Sequence, residues 1–344
     1  MRLLLFALAL TVAACTKTLP EGVTELVYAT PYPPSHPFSQ ADQQWMDFVS
    51  EASGGTLKIV PNWSGALLSS EHSMIELRHG VADIGLITPI YIKGGVHLIR
   101  LQSGFYSGTT TVESQVALYR CLADASPQYA VELQGLRILA VQGGSLPGII
   151  TTSKPVRTLD DIRGMRLRAP TELLGVLDEL GADPVNMPMG DVYSALAKGV
   201  LDGVIAPLDT FKSLHFAEVA HYYANLVIPR GAYPARAMSL EKWDALSEFH
   251  RGVLEAGTQV WEKSLAQQVY AAQSEGEAVA HQEGVEFSEF PAADQQQFDN
   301  LYLELARRNA ESLTRYGIDG FSVFSAARAS VGADGTVICS GESQ

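Results

Sequence analysis

The sequence has little positive charge, few cysteines and, beyond its first residues, no long hydrophobic run. Its 24 lysines and arginines face 38 aspartates and glutamates, which gives a formal net charge of −14. Nucleic-acid recognition depends on clustered basic residues, so this balance predicts no nucleic-acid partner. After residue 14 no apolar stretch approaches the roughly 20 residues that a membrane-spanning helix needs.

Motifs of common enzymes are missing as well. The sequence has no HExxH, CxxC or GxSxG, and its eight histidines lack the spacing of a zinc site. Residues 142–148 (QGGSLPG) are rich in glycine, but they match neither a phosphate-binding loop nor a dinucleotide fingerprint. The sequence therefore predicts no metal, no cofactor and no catalytic residue. We interpret residues 142–148 as a hinge or the floor of a cleft.

The first 14 residues have the features of an export signal. Arg2 supplies the positive charge, residues 3–12 form an apolar run, and two alanines precede Cys15. The sequence VAAC is similar to a bacterial lipobox, which predicts a lipidated Cys15 that anchors the mature protein to a membrane from the periplasm. The alternative is an ordinary signal peptide with an incidental cysteine. Residues 15–23 would form a tether.

Two further cysteines, Cys121 and Cys339, leave two alternatives open. Cys121 lies in a segment with a helical pattern and Cys339 lies near the C-terminus. An exported protein meets an oxidising compartment, in which the two can form a disulfide. They can equally remain one buried thiol and one tail thiol, because the sequence does not give the distance between them.

The order of predicted elements indicates the fold class. With 344 residues, 47% of them hydrophobic, the chain is long enough for two globular domains. From residue 24 strands and helices alternate, which predicts an α/β protein with largely parallel sheets. Residues 79–87 (HGVADIGLI) and 198–206 (KGVLDGVIA) repeat one unit and support two domains. Residues 241–283 have a nearly continuous helical pattern, and residues 229–239 (PRGAYPARAMS) are predicted to be irregular.

Residues 158–207 contain the most informative pattern. A short strand ends at Arg168, and two further helix–strand units follow it. In such sheets ligands bind beyond the carboxyl ends of the strands. The planar guanidinium of Arg168 matches a carboxylate through two charge-assisted hydrogen bonds. A structural ion pair with one of the many acidic residues nearby is the alternative.

Three motifs resemble the solute-binding subunits of tripartite ATP-independent periplasmic (TRAP) transporters, the DctP-like family. They are TLDDIRGMRLRAP (158–170), LGADPVNMPMGDVYSALAKGVLDG (180–203) and KWDAL (242–246). The resemblance implies a two-lobe, periplasmic-binding-protein-like α/β architecture with a cleft between the lobes and a long helix spanning both. It implies a first lobe of residues 24–145 and 230–272, a second of 146–229 and 273–328, and a tail of 329–344. It also implies that Arg168 binds a small organic acid and that a TRAP membrane permease is the partner.

The sequence departs from the family at three positions. Gly148 stands where many relatives have a second arginine, Ala206 where an asparagine commonly contacts the carboxylate, and Thr88 where sugar-acid binders carry an acid. Losing these polar groups predicts a more apolar cleft and a monocarboxylate with an apolar or aromatic body. Met189 and Phe211 are interpreted as core residues. The predicted ligand-binding residues are Arg168, Thr88, Tyr91, Tyr32, Phe38, Gly148, Tyr193, Ala206 and Asp209.

Together these features predict a periplasmic solute-binding protein that is not an enzyme. It would capture its ligand by closure of the two lobes and deliver it to the permease. One alternative is a secreted lipoprotein enzyme that uses Ser145 or Asp209 in the same cleft, although neither residue has a base at motif spacing. Another is a ligand-sensing accessory protein, which the sequence does not separate from a transport subunit.

Overall fold

The computed structural model describes residues 22–340. The predicted signal peptide, the lipidation site Cys15 and most of the predicted tether lie outside these residues. Across the described part of the chain, no helix combines the length and the apolar character that crossing a membrane requires. Helices cover two separate β-sheets, so the predicted α/β class is confirmed.

Eleven strands and twelve α-helices form the described part of the chain. The strands are β1 (Thr24–Ala29), β2 (Leu57–Asn62), β3 (Ile84–Leu86), β4 (Leu136–Gln142), β5 (Gly148–Thr151), β6 (Arg166–Arg168), β7 (Asp183–Val185), β8 (Gly203–Ala206), β9 (Tyr222–Asn225), β10 (Tyr233–Ser239) and β11 (Glu286–Glu289). The helices are α1 (Pro37–Ala52), α2 (Ser73–Arg78), α3 (Leu98–Leu101), α4 (Val112–Ala125), α5 (Gln128–Glu132), α6 (Leu174–Glu179), α7 (Met189–Ala197), α8 (Thr210–Ser213), α9 (Leu240–Ala245), α10 (Glu248–Gln282), α11 (Ala292–Ser312) and α12 (Gly320–Ser330).

The two sheets define two lobes. The first lobe contains the sheet β2-β1-β3-β10-β4, and the second contains β11-β9-β5-β8-β6-β7. Each sheet has one strand antiparallel to its neighbours, β10 in the first and β5 in the second. These are the strands that the chain enters directly after crossing between lobes, through residues 143–147 and 226–232. The two crossings lie next to the carboxyl ends of the parallel strands, which is where a ligand would bind.

Strand β10 corrects the prediction of an irregular segment at 229–239. All seven of its residues are buried in the middle of the first sheet. Pro234 lacks an N–H for the ladder, but it lies next to the start of the strand, and the register with β4 shifts between Pro234 and Arg236. The prediction was wrong because Pro234 argues against a strand, whereas the irregular register next to it allows the strand to form.

The long helix α10 confirms the predicted element that spans both lobes. It packs along α1 of the first lobe, where Trp261 stacks on Trp45 with ring centroids 3.8 Å apart, and it also contacts α8 of the second lobe. The predicted helix over 241–283 is divided into α9 and α10 at residues 246–247. Ser247 caps the long helix by accepting a hydrogen bond from the His250 amide.

The chain after α10 differs in part from the predicted lobe boundaries. Strand β11 joins the second sheet by pairing with β9. Helix α12, however, packs on α4 of the first lobe, and Phe324 contacts Phe105 there edge to face. Its apolar face completes the core of the first lobe, which the local sequence pattern did not reveal.

A disulfide fastens the end of the chain to the first lobe. Cys121 on α4 and Cys339 are bonded, with their Cα atoms 5.2 Å apart. Val331 and Val337 form a β-bridge between α12 and this cysteine. The structure therefore decides between the two alternatives that the sequence left open, and the described part of the predicted tail is held in place.

The first lobe is built around a buried ion pair. Asp42 on α1 and Arg236 on β10 are both fully buried, and the Asp42 Oδ1 atom lies 2.8 Å from both Nε and Nη2 of Arg236. Trp261 Nε1 also donates to this oxygen at 2.8 Å, while the Tyr28 hydroxyl donates to Oδ2. Gln142 accepts a hydrogen bond from Arg236 Nη1. This network ties α1, β10 and the long helix together next to the cleft.

Candidate functional site

A cavity of about 100 Å³ lies between the two lobes. Its apolar wall consists of Phe38, Ile90, Leu173, Met189, Ile205 and the four prolines 147, 170, 207 and 229. Its polar groups come from Tyr32, Tyr91, Ser103, Arg168, Glu172, Arg230 and Tyr233, and Gly231 completes the lining. A larger groove of about 410 Å³ lies within the first lobe, along α2 and residues 91–96. We consider the smaller cavity the candidate site because both lobes contribute buried polar groups to it.

Arg168 is the best-defined polar group of the cavity. It is the last residue of β6 and only 2% exposed. Its Nε donates to the Met187 carbonyl at 2.9 Å, and its Nη2 donates to the Tyr91 hydroxyl at 2.6 Å. Among residues 22–340 no carboxylate lies within 4.0 Å of this guanidinium. Two of its five N–H donors thus have protein partners, which leaves a fork for an anion.

The contact between Arg168 and Tyr91 also joins the lobes. Tyr91 follows β3 in the first lobe, whereas Arg168 belongs to the second. A second link lies beside it, because the Thr171 hydroxyl donates to the Ile90 carbonyl at 2.9 Å. The lobes are therefore in contact beside the cavity.

Arg230 is a cavity residue that the sequence prediction missed. It lies in the 226–232 crossing, and its Nη1 donates to the Ser145 carbonyl of the other crossing at 3.2 Å. In the described part of the chain no acidic side chain forms a salt bridge with it. One signal in the sequence could have identified Arg230. A proline, an arginine and a glycine between two strands indicate a loop with a charged residue, and this loop connects the two lobes.

Glu172 is the second cavity residue that the sequence prediction missed. It lies in a single 3₁₀ turn after Pro170, four residues beyond Arg168, and is 9% exposed. Burial raises the pKa of its carboxyl to about 7, although the nearby charges of Arg168 and Arg230 act in the opposite direction. Its Oε2 has no hydrogen-bond partner among the described residues. A buried glutamic acid thus faces two guanidinium groups across a small cavity.

Stability should consequently fall as the pH rises through the range of Glu172. The folded protein binds a proton below pH about 7, whereas the unfolded chain releases it above its ordinary value of 4.5, so folding is favoured at the acidic end. Wild type should lose roughly 3 kcal/mol of unfolding free energy between pH 4.5 and pH 8 through Glu172, and Glu172→Gln should not show this loss. The difference in unfolding free energy between Glu172→Gln and wild type should therefore rise by that amount over the same pH range. Urea unfolding followed by circular dichroism at both pH values measures this difference. Glu283→Gln, an exposed change at the end of α10, is the control, and equal pH profiles for all three proteins would contradict the assignment.

Four of the predicted binding residues meet in the cavity. Tyr32, Phe38 and Tyr91 of the first lobe line it together with Arg168. Tyr32 is held by stacking on the buried His36, with ring centroids 4.0 Å apart, and by an edge contact with Phe38. Contrary to its interpretation as a core residue, Met189 also lines the cavity, whereas Phe211 is a buried core residue as predicted.

The structure directs three predicted residues away from this cavity. Thr88 is buried, its hydroxyl donates to the Ser70 carbonyl, and its amide donates to the Ser73 hydroxyl. The Tyr193 hydroxyl donates to Glu218 on the surface at 2.7 Å. Asp209 accepts from Ser213 and lines a different groove beside α10, where burial raises its pKa to about 6. Their local hydrogen bonds, rather than the cleft, use the polar atoms of these side chains.

Gly148 and Ala206 form one register pair at the ends of β5 and β8. Neither lines the cavity, although Pro147, Ile205 and Pro207 next to them do. A Cβ atom at position 148 would lie 2.6 Å from both the Ala224 carbonyl and the Tyr223 hydroxyl. A larger residue therefore does not fit here, because the Ala224 carbonyl and the Tyr223 side chain occupy the space.

The described residues do not contain a cluster suited to a metal ion. Between residues 22 and 340, no three histidine, cysteine, aspartate or glutamate side chains are grouped closely enough to hold one. The chemistry of the cavity is instead that of two cations, one buried carboxyl and three phenols in a largely apolar wall. Such a set can bind a small anion by hydrogen bonds and enclose its apolar part.

Two α/β lobes, two strand crossings and a cavity between the lobes with a buried arginine define a two-lobe binding protein. The family described as "Bacterial extracellular solute-binding protein, family 7" (DctP) matches residues 28–312. The chain belongs to this family. The resemblance inferred from the three sequence motifs is thereby confirmed, and the family is one of solute-binding proteins.

Individual relatives agree with this assignment. A solute-binding protein of Chromohalobacter salexigens is 28% identical over 230 residues, which are 64% of this chain and 66% of that protein. The aligned part thus spans just under two thirds of that relative. A TRAP solute-binding protein of Rhodoferax ferrireducens, solved with copurified benzoate, is 24% identical and superimposes over 89% of this chain and 97% of that one with a TM-score of 0.81. Another from Chromohalobacter salexigens, solved with D-glucuronate, is 18% identical, covers 88% and 99% of the two chains, and has a TM-score of 0.78.

Proposed function

We propose that this protein captures a small monocarboxylate in the cavity between its lobes and delivers it to a TRAP-type membrane permease. The observation that carries the proposal is Arg168, a buried guanidinium with no acidic partner in the described chain and with three N–H donors left for a ligand. An unpaired buried cation is costly, and an anion in the cavity would relieve that cost. A carboxylate fits the fork in a bidentate manner.

The apolar wall of the cavity supports a compact apolar or aromatic body for the ligand. The wall provides apolar contact area but no side-chain groups that could hydrogen-bond to a sugar ring. Its members include Phe38, Leu173, Met189 and Ile205. The volume of about 100 Å³ favours a small acid. Proteins of similar fold have been solved with benzoate and with D-glucuronate, so the fold does not select between aromatic acids and sugar acids. The side chains of this cavity favour the former.

Capture by lobe closure follows from how the cavity is assembled. Tyr91 and Ile90 of the first lobe accept hydrogen bonds from Arg168 and Thr171 of the second. A ligand that contacts both lobes adds to these links and shifts the population toward the closed state. The closed lobes then form the surface that a permease would recognise. Hinge motion would take place in the crossings at 143–147 and 226–232, with α10 bracing both lobes.

We also propose that Cys15 is lipidated and holds the protein at a membrane in the periplasm. The proposal is supported by the VAAC sequence directly after the apolar run. The intact mass of the mature protein, isolated from membranes, should include the lipid. A mature chain that begins at another residue, without added mass, would disprove it.

A panel of organic acids tests the proposed ligand class. Thermal unfolding is measured with aromatic and aliphatic monocarboxylates, dicarboxylates, sugar acids and the matching neutral amides, because a ligand that binds the folded state raises the melting temperature. We expect shifts from monocarboxylates and none from their amides. Mass spectrometry of the bound acid should return it unchanged, as expected for a binding protein rather than an enzyme. Tight binding confined to sugar acids, or conversion of the acid, would contradict the proposal.

A further inference from the structure

Glu172 and Ser103 stand side by side on one wall of the cavity. Glu172 belongs to the second lobe, and Ser103 lies in the 3₁₀ turn Gln102–Phe105 of the first. The turns approach closely because residue 104 is a glycine, whose Cβ, if present, would lie 3.4 Å from the Glu172 Cβ. Both side chains line the cavity, at 9% and 2% exposure. The pair exists only when the lobes are together.

Each side chain has a buried polar atom that no protein group satisfies. The Ser103 Oγ and the Glu172 Oε2 are buried and have no hydrogen-bond partner among residues 22–340. Glu172 is also not a counterion, since no guanidinium of the described chain lies within salt-bridge distance of it. Ten buried side-chain polar atoms of residues 22–340 lack a partner, and these two are the ones whose residues line the cavity. Each such atom costs about 1–3 kcal/mol, which a ligand that pairs with it would relieve.

We propose that Glu172 and Ser103 form a second polar subsite, which binds a hydroxyl group on the solute, so that the natural ligand is a hydroxy monocarboxylic acid. This inference rests on the proposed function, because it needs a carboxylate held by Arg168. A hydroxyl group can donate to the Glu172 carboxyl and accept from the Ser103 hydroxyl at the same time. It is also neutral, which suits a cavity that already contains Arg168 and Arg230.

The charges around the subsite argue against the two nearest rivals. The ammonium group of an amino acid could donate to Glu172, but the positive charges of Arg168 and Arg230 would oppose it. A second carboxylate would be attracted by Arg230, but at this subsite it would lie against the Glu172 carboxyl and the two acids would repel each other once both are ionised. A hydroxyl meets neither objection. A site built to hydrogen-bond a hydroxyl strongly rejects the analogue that lacks it, because its own polar groups then remain unpaired.

Paired probes that differ by one hydroxyl test the subsite. Titration calorimetry compares mandelate with phenylacetate and 3-hydroxybenzoate with benzoate on wild type, Glu172→Leu, Glu172→Gln and Ser103→Ala. In at least one pair wild type should prefer the hydroxy acid by roughly 10- to 100-fold. Glu172→Leu should abolish that preference, which is measured as the ratio of the two affinities within a pair. Glu172→Gln, which keeps an acceptor, should retain part of the preference, and Ser103→Ala should lose a smaller part.

The outcomes separate this inference from the proposed function. If monocarboxylates bind but wild type shows no preference within either pair, the hydroxyl subsite is refuted and the proposed function stands. Equal weakening of both members of a pair by Glu172→Leu would also refute it, because the residue would then act on the cavity as a whole. Tighter binding of an amino acid or a dicarboxylate than of any hydroxy acid would also refute the hydroxyl subsite, because the subsite would then bind an ammonium or a carboxylate group. Absence of binding by every carboxylate would overturn both proposals.

Discussion

Replacing Arg168 by methionine should weaken monocarboxylate binding by roughly 100-fold or more, because two charge-assisted hydrogen bonds contribute about 1.5–3 kcal/mol each. Methionine keeps much of the side-chain volume and removes the charge. Arg168→Lys should give an intermediate loss, since lysine restores the charge but not the planar fork. Calorimetric titration with the tightest acid of the panel measures the change, and circular dichroism verifies that each variant is folded.

Two control variants show whether the effect comes from the guanidinium fork. Arg166→Met lies on the same strand β6, but its guanidinium is half exposed and pairs with Asp183 on β7, so it should leave affinity unchanged. Tyr91→Phe removes one of the two hydrogen bonds that join the lobes here and keeps the fork, so its effect should stay below about tenfold. If Arg168→Met binds the acid as tightly as Arg166→Met does, Arg168 is not the carboxylate clamp.

Substitution of Asp42 by asparagine should produce the largest loss of stability, about 3–5 kcal/mol in the free energy of unfolding. Arg236 would then remain fully buried with its charge uncompensated, since Asp42 is its acidic partner. Trp261 and Tyr28 would also face an amide in place of a carboxylate. Urea unfolding followed by far-ultraviolet circular dichroism at pH 7 measures the loss.

Asp47→Asn on the same helix is the matched control, because Asp47 is exposed and accepts a hydrogen bond from Gln43 alone among the described residues. It should change stability by less than about 0.5 kcal/mol. The double variant Asp42→Asn, Arg236→Met should recover much of the loss, since it no longer buries an unpaired cation. Equal stability of the two single variants would mean that the buried ion pair does not hold the first lobe together.

The sequence predicted the architecture because that information is local and repeated. Alternation of short apolar strands with helices specified an α/β fold, and the duplicated unit at 79–87 and 198–206 indicated two lobes. Arg168 could be placed at the end of a short strand in which apolar and basic residues alternate, and the resemblance to the family then marked it as the ligand-binding arginine. Strand β10 was missed for the corresponding reason, since Pro234 is a local signal against a strand and the bulge that tolerates it depends on β4.

The contents of the cavity could not be read from the sequence in the same way. Ser103, Glu172 and Arg230 lie in short turns and a crossing segment, where periodicity carries no information about the direction of a side chain. Thr88 lies after β3 and Tyr193 lies in α7, but hydrogen bonds to residues 18 and 25 positions away direct their hydroxyls away from the cavity.

The sequence by itself determined the fold class, the family and the arginine at the end of β6, because each depends on neighbours along the chain. Tertiary structure alone decided which polar groups join that arginine and how Cys121 meets Cys339 across 218 residues. Those contacts form between segments that are distant in the chain, and their distances are set by the packing of two lobes rather than by any local pattern.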